Sequence, residues 1–408
     1  MNRISPPPPT SPTRDRILRA LRVHGPQARV DLSAIVEMSP ATVSGVTGEL
    51  VRAGALREIL AREFLGRESE TVDAGRSRGR PKVTIELVPE TAHVIAVKLS
   101  INEIQVALGD FTGAMAVTET TPLDTRALSS AELVAALSEA VERCHRTMAP
   151  GYGPCLGVGI AVQGLVRDSD IIAWSPALSV RDVDIVQPLV RRFGLPVYAA
   201  NDANCIAVAL RNRPEYQAID NMAVLMLGTG VGMGLIVGGQ VYDGRTGAAA
   251  EFGHTKYQMD GPFCHCGRRG CIESFVGDYA LYRDARAMLD LPNTDALHPS
   301  EEQMQVLCDL AAKGDPVALG LFEQAGRALG FGLTNLIALI SPSLILVSGS
   351  GVRAYKYLEP SMQRSLKDGL VETLLANTEI RPQPWNEDLT LRGITALVQG
   401  NVPYQPTA

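Results

Sequence analysis

Four residues near the middle of the chain have the types and the spacing of a metal site. They follow the pattern H-x9-C-x-C-x4-C and are His254, Cys264, Cys266 and Cys271. Three thiolates and one imidazole complete the tetrahedral ligand set of a structural zinc ion, which leaves no position for a catalytic water. Gly267 and Gly270 lie between the last two cysteines and allow the tight turns of a small metal loop. The sequence therefore predicts structural Zn²⁺ as a cofactor.

A competing interpretation treats the cysteines as ordinary core residues, because free cysteine is often simply buried. The regular spacing and the intervening glycines favour the metal site. His265 is the rival nitrogen donor in this segment. It is flanked on both sides by predicted ligands and would have difficulty reaching the same ion.

Two carboxylates flank the predicted ligands. Glu251 lies three residues before His254, and Glu273 lies two residues after Cys271. If the chain folds around zinc, both carboxylates come to the edge of the metal site. Carboxylates accept hydrogen bonds from hydroxyl groups. The same segment therefore predicts a hydroxyl-binding site beside the metal.

Length and composition set the frame for these residues. At 408 residues the chain is expected to form two or three domains. Its seven cysteines fit metal binding and free thiols better than a disulfide framework. The first residues, MNRISPPPPTSP, lack the apolar segment of a signal peptide, and no run approaches the ~18 apolar residues of a membrane span. We expect a soluble cytoplasmic protein.

The charge of the chain is unevenly distributed. Residues 1–88 hold fourteen Lys or Arg and ten Asp or Glu, a net charge of +4, so the rest carries −10 of the total of −6. A basic module that leads an acidic body hints at nucleic acid binding at one end, although this imbalance alone is weak.

Short helices are predicted at 13–24, 30–37 and 40–53, after a disordered Pro-rich tail over 1–12. Ser39 is the expected N-cap of the third helix and Pro40 its first residue. Short helices of this kind, the last with small hydroxyl residues at its start, are typical of a helix-turn-helix. The residues of the third helix predicted to face DNA are Ser39, Ala41, Thr42, Ser44 and Thr47.

A wing is predicted to follow the helices. Residues 56–60 and 83–87 read as paired strands, and the basic run 75–82 lies next to them. An extended Arg-Gly-Arg segment can enter a narrow minor groove, where the negative potential attracts guanidinium groups. A basic loop can also be a solvated linker, but the preceding helices favour DNA contact. The predicted contacts in this run are Arg78, Gly79, Arg80 and Lys82.

The body of the chain has the pattern of an α/β protein with a cleft. Strands are predicted at 93–99, 104–108, 157–162, 196–199, 222–227, 235–237 and 344–347, and helices at 131–148 and 316–340. Polar or glycine-rich turns follow several of the strands, including Asn201-Asp202 and the loop over 228–234. Side chains from such turns commonly line a cleft.

The chain is similar to the ROK family, which contains bacterial sugar kinases and sugar-responsive repressors. The resemblance covers residues 90–400 and rests on Asn201-Asp202, Gly228-Thr229-Gly230, Glu251-x-Gly253-His254, the cysteine knuckle and Glu273. It implies a winged helix-turn-helix over 13–88 and an actin-like, two-lobed α/β body with a zinc knuckle. The lobes would span 89–200 and 201–408, with the C-terminal helix either in the second lobe or returning to the first.

The resemblance also implies roles for individual residues. Asn201, Asp202, Glu251, His254 and Glu273 would bind the hydroxyls of a sugar, and Asp202 corresponds to the catalytic base of the kinases. His254 would bind zinc through one ring nitrogen and the sugar through the other, so the metal would fix its orientation.

One motif departs from the kinase pattern. The kinase phosphate loop, Asp-x-Gly-Gly-Thr, falls here on Lys98-Leu99-Ser100-Ile101-Asn102. The carboxylate that helps to hold magnesium is replaced by lysine, and both glycines have gained side chains. The second phosphate loop, with Gly228, Thr229 and Gly230, is retained but is expected to be vestigial.

We therefore expect a DNA-binding regulator, in the first place a repressor, and not an enzyme. It would bind a palindromic operator in double-stranded DNA as a homodimer or homotetramer, in the bacterial cytoplasm at the nucleoid, and respond to a sugar or sugar phosphate. The alternative is an ATP-dependent sugar kinase with Asp202 as base. A zinc-dependent hydrolase is disfavoured because the metal coordination is full. The sugar, the operator and the direction of control stay open.

Overall fold

The computed structural model describes residues 12–60, 83–247, 249–289, 291, 298–385 and 389–406. The tail through residue 11 and the basic run at 75–82 lie outside the described residues, and so do the predicted DNA contacts Arg78, Gly79, Arg80 and Lys82. Among the helices of these described ranges, none combines the length and the apolar character that crossing a membrane requires.

The N-terminal module contains three helices and three short strands among its described residues. They are α1 (Pro12–His24), β1 (Gln27–Ala28), α2 (Arg29–Ile35), α3 (Pro40–Arg52), β2 (Leu56–Leu60) and β3 (Val83–Leu87). The strands form an antiparallel sheet in the order β1-β3-β2, with Leu56 opposite Leu87. The predicted helices and the predicted pairing of 56–60 with 83–87 are confirmed.

Helix α3 begins as its sequence predicts. The Ser39 hydroxyl accepts a hydrogen bond from the Thr42 backbone N–H at 3.1 Å, and Pro40 occupies the first turn. Ala41, Thr42 and Ser44 are exposed, as expected. A single exposed turn at the start of α3 is therefore available to a partner.

The prediction that Thr47 faces outward is wrong. Thr47 is 0 % exposed, and its hydroxyl donates to the Val43 carbonyl at 2.7 Å and accepts from Arg29 Nε at 3.1 Å. Position 47 lies one turn after Val43 and one turn before Leu50, both fully buried, so it belongs to the buried stripe of the helix.

The N-terminal module and the body share one hydrophobic cluster. Ile17 and Leu21 of α1 belong to the same buried cluster as Phe111 and Tyr404 of the body. The rings of Phe111 and Tyr404 are 4.8 Å apart, and Arg22 Nε donates to the Phe111 carbonyl at 3.0 Å. The module is thus packed against the body through its first helix.

The first lobe is built on a five-stranded sheet in the order β11-β7-β4-β5-β6. Strands β4, β7 and β11 run parallel, whereas β5 pairs antiparallel with β4 and β6 pairs antiparallel with β5. These strands are β4 (His93–Ser100), β5 (Glu103–Asp110), β6 (Met115–Pro122), β7 (Cys155–Val162) and β11 (Val197–Asn201). Helix α4 (Ser130–Met148), begun by a Ser129/Glu132 capping box, packs against β4 and β5.

A small antiparallel sheet extends this lobe towards the cleft. It contains β8 (Leu165–Arg167), β9 (Ile171–Trp174) and β10 (Val183–Asp184), and α5 (Val186–Phe193) follows it. Short 3-10 turns occur at Pro89–Thr91 and Pro214–Tyr216.

The second lobe contains another five-stranded sheet, in the order β14-β13-β12-β15-β16. Its strands are β12 (Met222–Leu227), β13 (Val231–Val237), β14 (Gln240–Val241), β15 (Leu344–Ser348) and β16 (Glu379–Pro382). The predicted glycine loop over 228–234 is shorter than expected. Only residues 228–230 form a turn, because Val231 already pairs with Leu227 across the β12–β13 hairpin.

The helices of the second lobe surround this sheet. They are α6 (Asp202–Arg211), α7 (Glu273–Val276), α8 (Asp278–Met288), α9 (Glu301–Ala312), α10 (Pro316–Ile340), α11 (Tyr355–Gly369) and α12 (Glu372–Ala376), with 3-10 turns at Phe252–His254 and Ser350–Ala354. Helix α10 has the bounds that its sequence predicts, because Asp315 caps it and Pro316 starts it.

The last helix, α13 (Leu389–Asn401), packs on the sheet of the first lobe. Leu391 and Ile394 of α13 lie in one buried cluster with Ala96 and Ala161 of that sheet and Cys205 of α6. Helices α6 and α13 are therefore in direct contact beneath the cleft. Both helices also border the seam between the body and the N-terminal module. The cleft and the seam are therefore lined in part by the same two helices.

Candidate metal centre and neighbouring cleft

The four predicted metal ligands converge. One donor atom from each of His254, Cys264, Cys266 and Cys271 lies within 4.8 Å of the others. The Cys266 and Cys271 Sγ atoms are 3.7 Å apart, and the Cys264 Sγ is 3.6 Å from His254 Nδ1. A tetrahedral zinc ion with ordinary bond lengths has S–S edges of about 3.8 Å and S–N edges of about 3.6 Å. The residues fit zinc, and His265 is not part of the set.

The backbone of the knuckle sets this spacing. The Cys264 N–H donates to the Arg268 carbonyl at 2.8 Å and the Gly267 N–H donates to the Cys264 carbonyl at 3.0 Å. Gly270 has φ +69°, and a Cβ there would lie 1.5 Å from the Gln258 carbonyl oxygen. A side chain at position 270 would therefore displace the strand that brings Cys271 to the site.

A lysine that sequence reasoning missed lies beside the metal ligands. Lys256 Nζ is 3.1 Å from Cys271 Sγ and donates to the Arg269 carbonyl at 2.6 Å. Three thiolates and one neutral imidazole give a zinc centre a net negative charge, which an adjacent ammonium offsets. Nothing in the spacing of Lys256 distinguishes it from an ordinary surface lysine.

The predicted hydroxyl-binding residues line one cavity of about 280 Å³ between the lobes. The five are Asn201, Asp202, Glu251, His254 and Glu273. This volume lies just below the usual range for ligand sites, about 300 to 1,000 Å³, and suits a compact polar ligand. The structure thus brings together residues from three separate segments of the sequence, 201–202, 251–254 and 273.

Asn201 and Asp202 are held by the start of α6. The Asn201 side chain caps α6 by accepting from the Asn204 N–H at 3.1 Å, and its Nδ2 donates to the Gly164 carbonyl at 2.7 Å. Asp202 accepts from the Ala203 N–H at 2.9 Å. These two bonds fix the turn that presents Asp202, and the Asn201 amide keeps one further hydrogen and one further lone pair.

His254 faces both the candidate metal site and the cleft. Its Nδ1 faces Cys264, whereas its Nε2 lies 3.9 Å from a carboxylate oxygen of Glu251. A metal on Nδ1 would keep Nε2 protonated as a donor towards the cleft. The sequence expectation of one ring nitrogen for each task is consistent with this geometry.

Glu273 connects the metal knuckle to the glycine turn. It is 7 % exposed, one carboxylate oxygen accepts from the Val231 N–H at 3.1 Å, and the other is 3.2 Å from Cys264 Sγ. A Cβ at Gly230 would lie 2.7 Å from the first of these oxygens. Gly230 therefore has a packing role beside Glu273 that does not depend on a nucleotide.

Two carboxyl groups in the cleft have raised pKa values. Burial raises the pKa of Asp202 to about 6, against the favourable influence of the Ala203 N–H and the Lys98 ammonium. Burial, together with the charges of Asp202 and Glu273, raises the pKa of Glu251 to about 7. Clustered carboxylates of this kind are costly to fold and are typical of functional sites.

The sequence model that describes the ROK family matches residues 94–401. This chain belongs to the ROK family. The match includes the cleft, the metal ligands and both lobes. It begins after the N-terminal module.

Similar proteins include regulators and kinases. The DNA-binding transcriptional dual regulator NagC of Escherichia coli (strain K12) is 24% identical over 367 residues, which cover 89% of this chain and 86% of that protein. A solved ROK family transcriptional regulator, a homolog of the E. coli MLC protein, has a TM-score of 0.76 and 25% identity and covers 96% of both chains. A ROK family glucokinase from Streptomyces griseus, solved with glucose and AMPPNP, has a TM-score of 0.59 and 27% identity, and covers 75% of this chain and 98% of that chain.

The segment over 98–102, whose sequence departs from the expected kinase phosphate loop, lies at the cleft. Lys98, Ser100 and Ile101 line the cavity, and Asn102 has φ +61° in the β4–β5 turn. The Lys98 ammonium lies close enough to Asp202 to oppose the rise in its pKa. This side of the cleft thus presents a cation beside the side chains of Ser100 and Ile101.

Tryptophan residues in the cleft were also missed by sequence reasoning. Trp174 and Trp385 line the cavity, and they are the two tryptophans of the chain. The Trp174 ring packs edge-on to the His254 ring with centroids 5.8 Å apart. Trp174 ends β9 and Trp385 follows β16, so a position at a strand end was the available signal. Both indoles can report ligand binding by fluorescence.

Glu251→Gln is expected to change how the stability of this ROK protein depends on pH. The pKa of Glu251 in the folded protein, about 7, is above its ordinary value of 4.5. The contribution of Glu251 to the free energy of unfolding is therefore complete below pH 4.5 and is lost as the pH rises through 7. An amide removes this loss. After discounting for solvent screening, we expect the variant to gain about 1 kcal/mol relative to wild type between pH 5 and pH 8.

Urea unfolding at both pH values measures this difference. Glu139→Gln, an exposed glutamate on α4, is the matched control and should show no such pH dependence. If the unfolding free energies of the two variants changed equally between pH 5 and pH 8, the Glu251 carboxylate would not be buried at a cost to stability.

Proposed function

We propose that this protein is a sugar-responsive, DNA-binding transcription regulator of the ROK family, in the first place a repressor. The observation that carries the proposal is the extent of the matches. The match to the solved ROK regulator covers 96% of this chain. The match to the glucokinase covers 75% of this chain, although it includes 98% of the glucokinase chain. The additional fifth of the chain corresponds in size to the N-terminal module with its exposed helix start at α3.

The N-terminal module would supply the DNA contacts. The exposed first turn of α3, with Ser39, Ala41, Thr42 and Ser44, can enter a major groove as the recognition helix of a winged helix-turn-helix. The basic run with Arg78, Gly79, Arg80 and Lys82 would follow the phosphate backbone or a narrow minor groove. Two copies of the chain would read a palindromic operator.

The cleft would bind the sugar or sugar phosphate. Asp202 and Glu251 offer acceptors, His254 Nε2 offers a donor, and Trp174 offers an aromatic wall for the apolar face of a sugar ring. A structural zinc ion on His254 and the three cysteines would hold the histidine and, through Glu273, the glycine turn. The metal would have no direct part in chemistry.

Kinase activity is the alternative that the cleft geometry disfavours. Phosphoryl transfer depends on backbone amides and magnesium ligands that position the phosphates. Lys98 stands at the magnesium-ligand position of the phosphate loop, and the side chains of Ser100 and Ile101 stand at the glycine positions. Asp202 would retain the position of the kinase base, but a base without positioned phosphates does not give transfer. We therefore propose that sugar binding is kept for control of DNA affinity.

Selection of operator sequences from a pool of random duplexes, followed by gel-shift titration, tests the proposal. Ser44→Glu should weaken binding to the selected operator by about a hundredfold, because a carboxylate placed against the groove is repelled by the phosphates. Ser130→Glu, an exposed first residue of α4, is the matched control and should bind like wild type.

Two results would overturn the proposal. One is a failure to select any sequence, with Ser44→Glu binding DNA as well as wild type. The other is rapid ATP turnover with a hexose that is lost in Asp202→Asn, which would assign the cleft to phosphoryl transfer. Quenching of the cleft tryptophans identifies the sugars to be used in both assays.

A further inference from the structure

A second cavity, of about 1100 Å³, lies at the seam between the N-terminal module and the body. Helix α1 forms one wall, and the C-terminal end of α6 and part of α13 form the other. Arginines project into it from both sides. We call this cavity the seam groove, and the four arginines considered below are Arg16 and Arg19 on α1, and Arg211 and Arg213 at the end of α6.

Other arginines of the seam groove are already satisfied. Arg57 forms an ion pair with Glu86, and Arg22 donates to the Phe111 carbonyl and lies over its ring at 4.9 Å. Within the part of the chain that the structure describes, the side chains of Arg16, Arg19, Arg211 and Arg213 form no hydrogen bond or ion pair. Four guanidinium groups thus converge on one cavity with no paired carboxylate.

Arg19 and Arg211 oppose each other across the seam. Burial lowers the pKa of Arg211, and the positive charge of Arg19 lowers it further, whereas Asp220 acts in the opposite direction. The Arg211 Nε is buried without a partner. A buried donor that lacks an acceptor is costly, and so is a pair of like charges, unless an anion satisfies both.

We propose that the seam groove binds a small anion that carries two or more phosphate groups. Guanidinium groups form paired hydrogen bonds with phosphate oxygens, and four of them match the charge of a short phosphate chain better than that of a single carboxylate. The groove is concave, and its volume lies just above the range of small-molecule sites, about 300 to 1,000 Å³, so it has room for a nucleotide or a similar phosphorylated metabolite. The exposed start of α3, not this recess, is the surface offered to a duplex.

A ligand in the seam groove would connect the two modules. It would bridge α1, which packs against α3, to α6, whose first residue Asp202 lies in the sugar cleft. The same helix therefore has one end in each cavity. Binding in the seam groove would fix the orientation of the N-terminal module relative to the body.

The test uses the full-length protein and inorganic tripolyphosphate as the probe, at constant ionic strength. Calorimetric titration is expected to show saturable binding, and the melting temperature should rise with the same concentration dependence. Arg19→Ala and Arg211→Ala should each weaken binding about tenfold or more, because each removes a charge-assisted contact. Arg146→Ala, an exposed arginine on α4 outside the groove, is the matched control and should bind like wild type.

The melting temperature without probe separates this role from a structural one. Arg19→Ala removes one of two positive charges that face each other, so its melting temperature without probe should be unchanged or higher than that of wild type. The rise in melting temperature caused by tripolyphosphate should disappear. A lowered basal melting temperature with intact probe binding would overturn the proposal. Arg19 is exposed, so its replacement tests binding even if Arg211→Ala is poorly folded.

Two comparison ligands complete the test. Citrate that binds as tightly as tripolyphosphate would overturn the assignment to phosphate and leave a general anion site. The second comparison ligand is random-sequence duplex DNA. If wild type does not bind tripolyphosphate and Arg19→Ala binds this DNA more weakly than wild type does, the groove contacts the DNA backbone and the small-anion proposal is overturned.

Discussion

Cys266→Ser is expected to lose the metal and, with it, most of the response to the sugar. Serine is a poor zinc ligand, and the remaining two cysteines and His254 leave an incomplete tetrahedron. Metal analysis of the purified wild type should give about one zinc ion per chain, and the variant should contain almost none. Apparent binding energies of structural zinc are about 10 to 16 kcal/mol in zinc-finger peptides, so the effect on the knuckle should be large.

The loss should spread from the knuckle into the cleft through identified contacts. Cys264 Sγ lies 3.6 Å from His254 Nδ1 and 3.2 Å from Glu273, and Glu273 holds the Val231 N–H beside the glycine turn. Without the metal, His254 can rotate and its tautomer is no longer fixed. The sugar concentration for half response should therefore rise at least tenfold.

Cys155→Ser is the matched control for this experiment, because Cys155 is a half-buried cysteine on β7, outside the four-residue cluster. It should keep both zinc and sugar response. A folded wild-type preparation that contains no zinc and responds normally to sugar would contradict the metal assignment.

Much of the fold follows from local sequence signals. Ser39-Pro40 and Asp315-Pro316 mark helix starts because a capping side chain and a proline satisfy the free ends of the backbone. The convergence of His254, Cys264, Cys266 and Cys271 was also predictable, since all four lie within one short segment with the spacing of a metal knuckle. In these places the determining interactions are between residues close in sequence.

Predictions failed where distant packing decides the outcome. Thr47 is polar and was expected to be exposed, but the buried stripe of α3 and the Arg29 guanidinium hold it inside. Val231 extends β13 into the expected glycine loop because it pairs across the hairpin with Leu227. The contacts of Lys256 with the knuckle and of Trp174 with His254 depend on tertiary placement that no local pattern contains.

The packing of the N-terminal module was the least predictable feature and matters most for control. A net charge and a helix pattern indicate a DNA-binding module, but they do not reveal that α1 shares a core with Phe111 and Tyr404. Because α6 and α13 reach from the cleft to this seam, closure of the cleft can alter the orientation of the module. Such coupling requires that the sugar bind one orientation better than another.

Glu251→Ala is expected to separate DNA binding from sugar response. Glu251 lies in the cleft beside His254 Nε2 and far in the sequence from α3, so the variant should bind the operator as wild type does. The sugar, however, would lose an acceptor for its hydroxyls, and the unpaired hydroxyl would cost about 1 to 3 kcal/mol. The concentration of sugar for half response should therefore rise about tenfold to a hundredfold.

The change in operator affinity that the sugar causes in wild type sets how precisely the gel-shift assay must measure affinity. Coupling energies of about 1 to 3 kcal/mol correspond to changes of about 5- to 150-fold in operator affinity. Gel-shift titrations with the sugar identified by tryptophan quenching measure both quantities in one assay. Glu139→Ala, an exposed glutamate on α4, is the matched control and should respond like wild type.

The two readouts distinguish a lost ligand from a damaged protein. If Glu251→Ala binds the operator normally and ignores the sugar, the cleft carboxylate is the link between the effector and DNA affinity. If it still responds at the wild-type sugar concentration, the effector lies elsewhere and the assignment of the cleft is wrong. If it loses operator binding as well, Glu251 instead supports the fold that presents α3, and the proposed separation of the two functions fails.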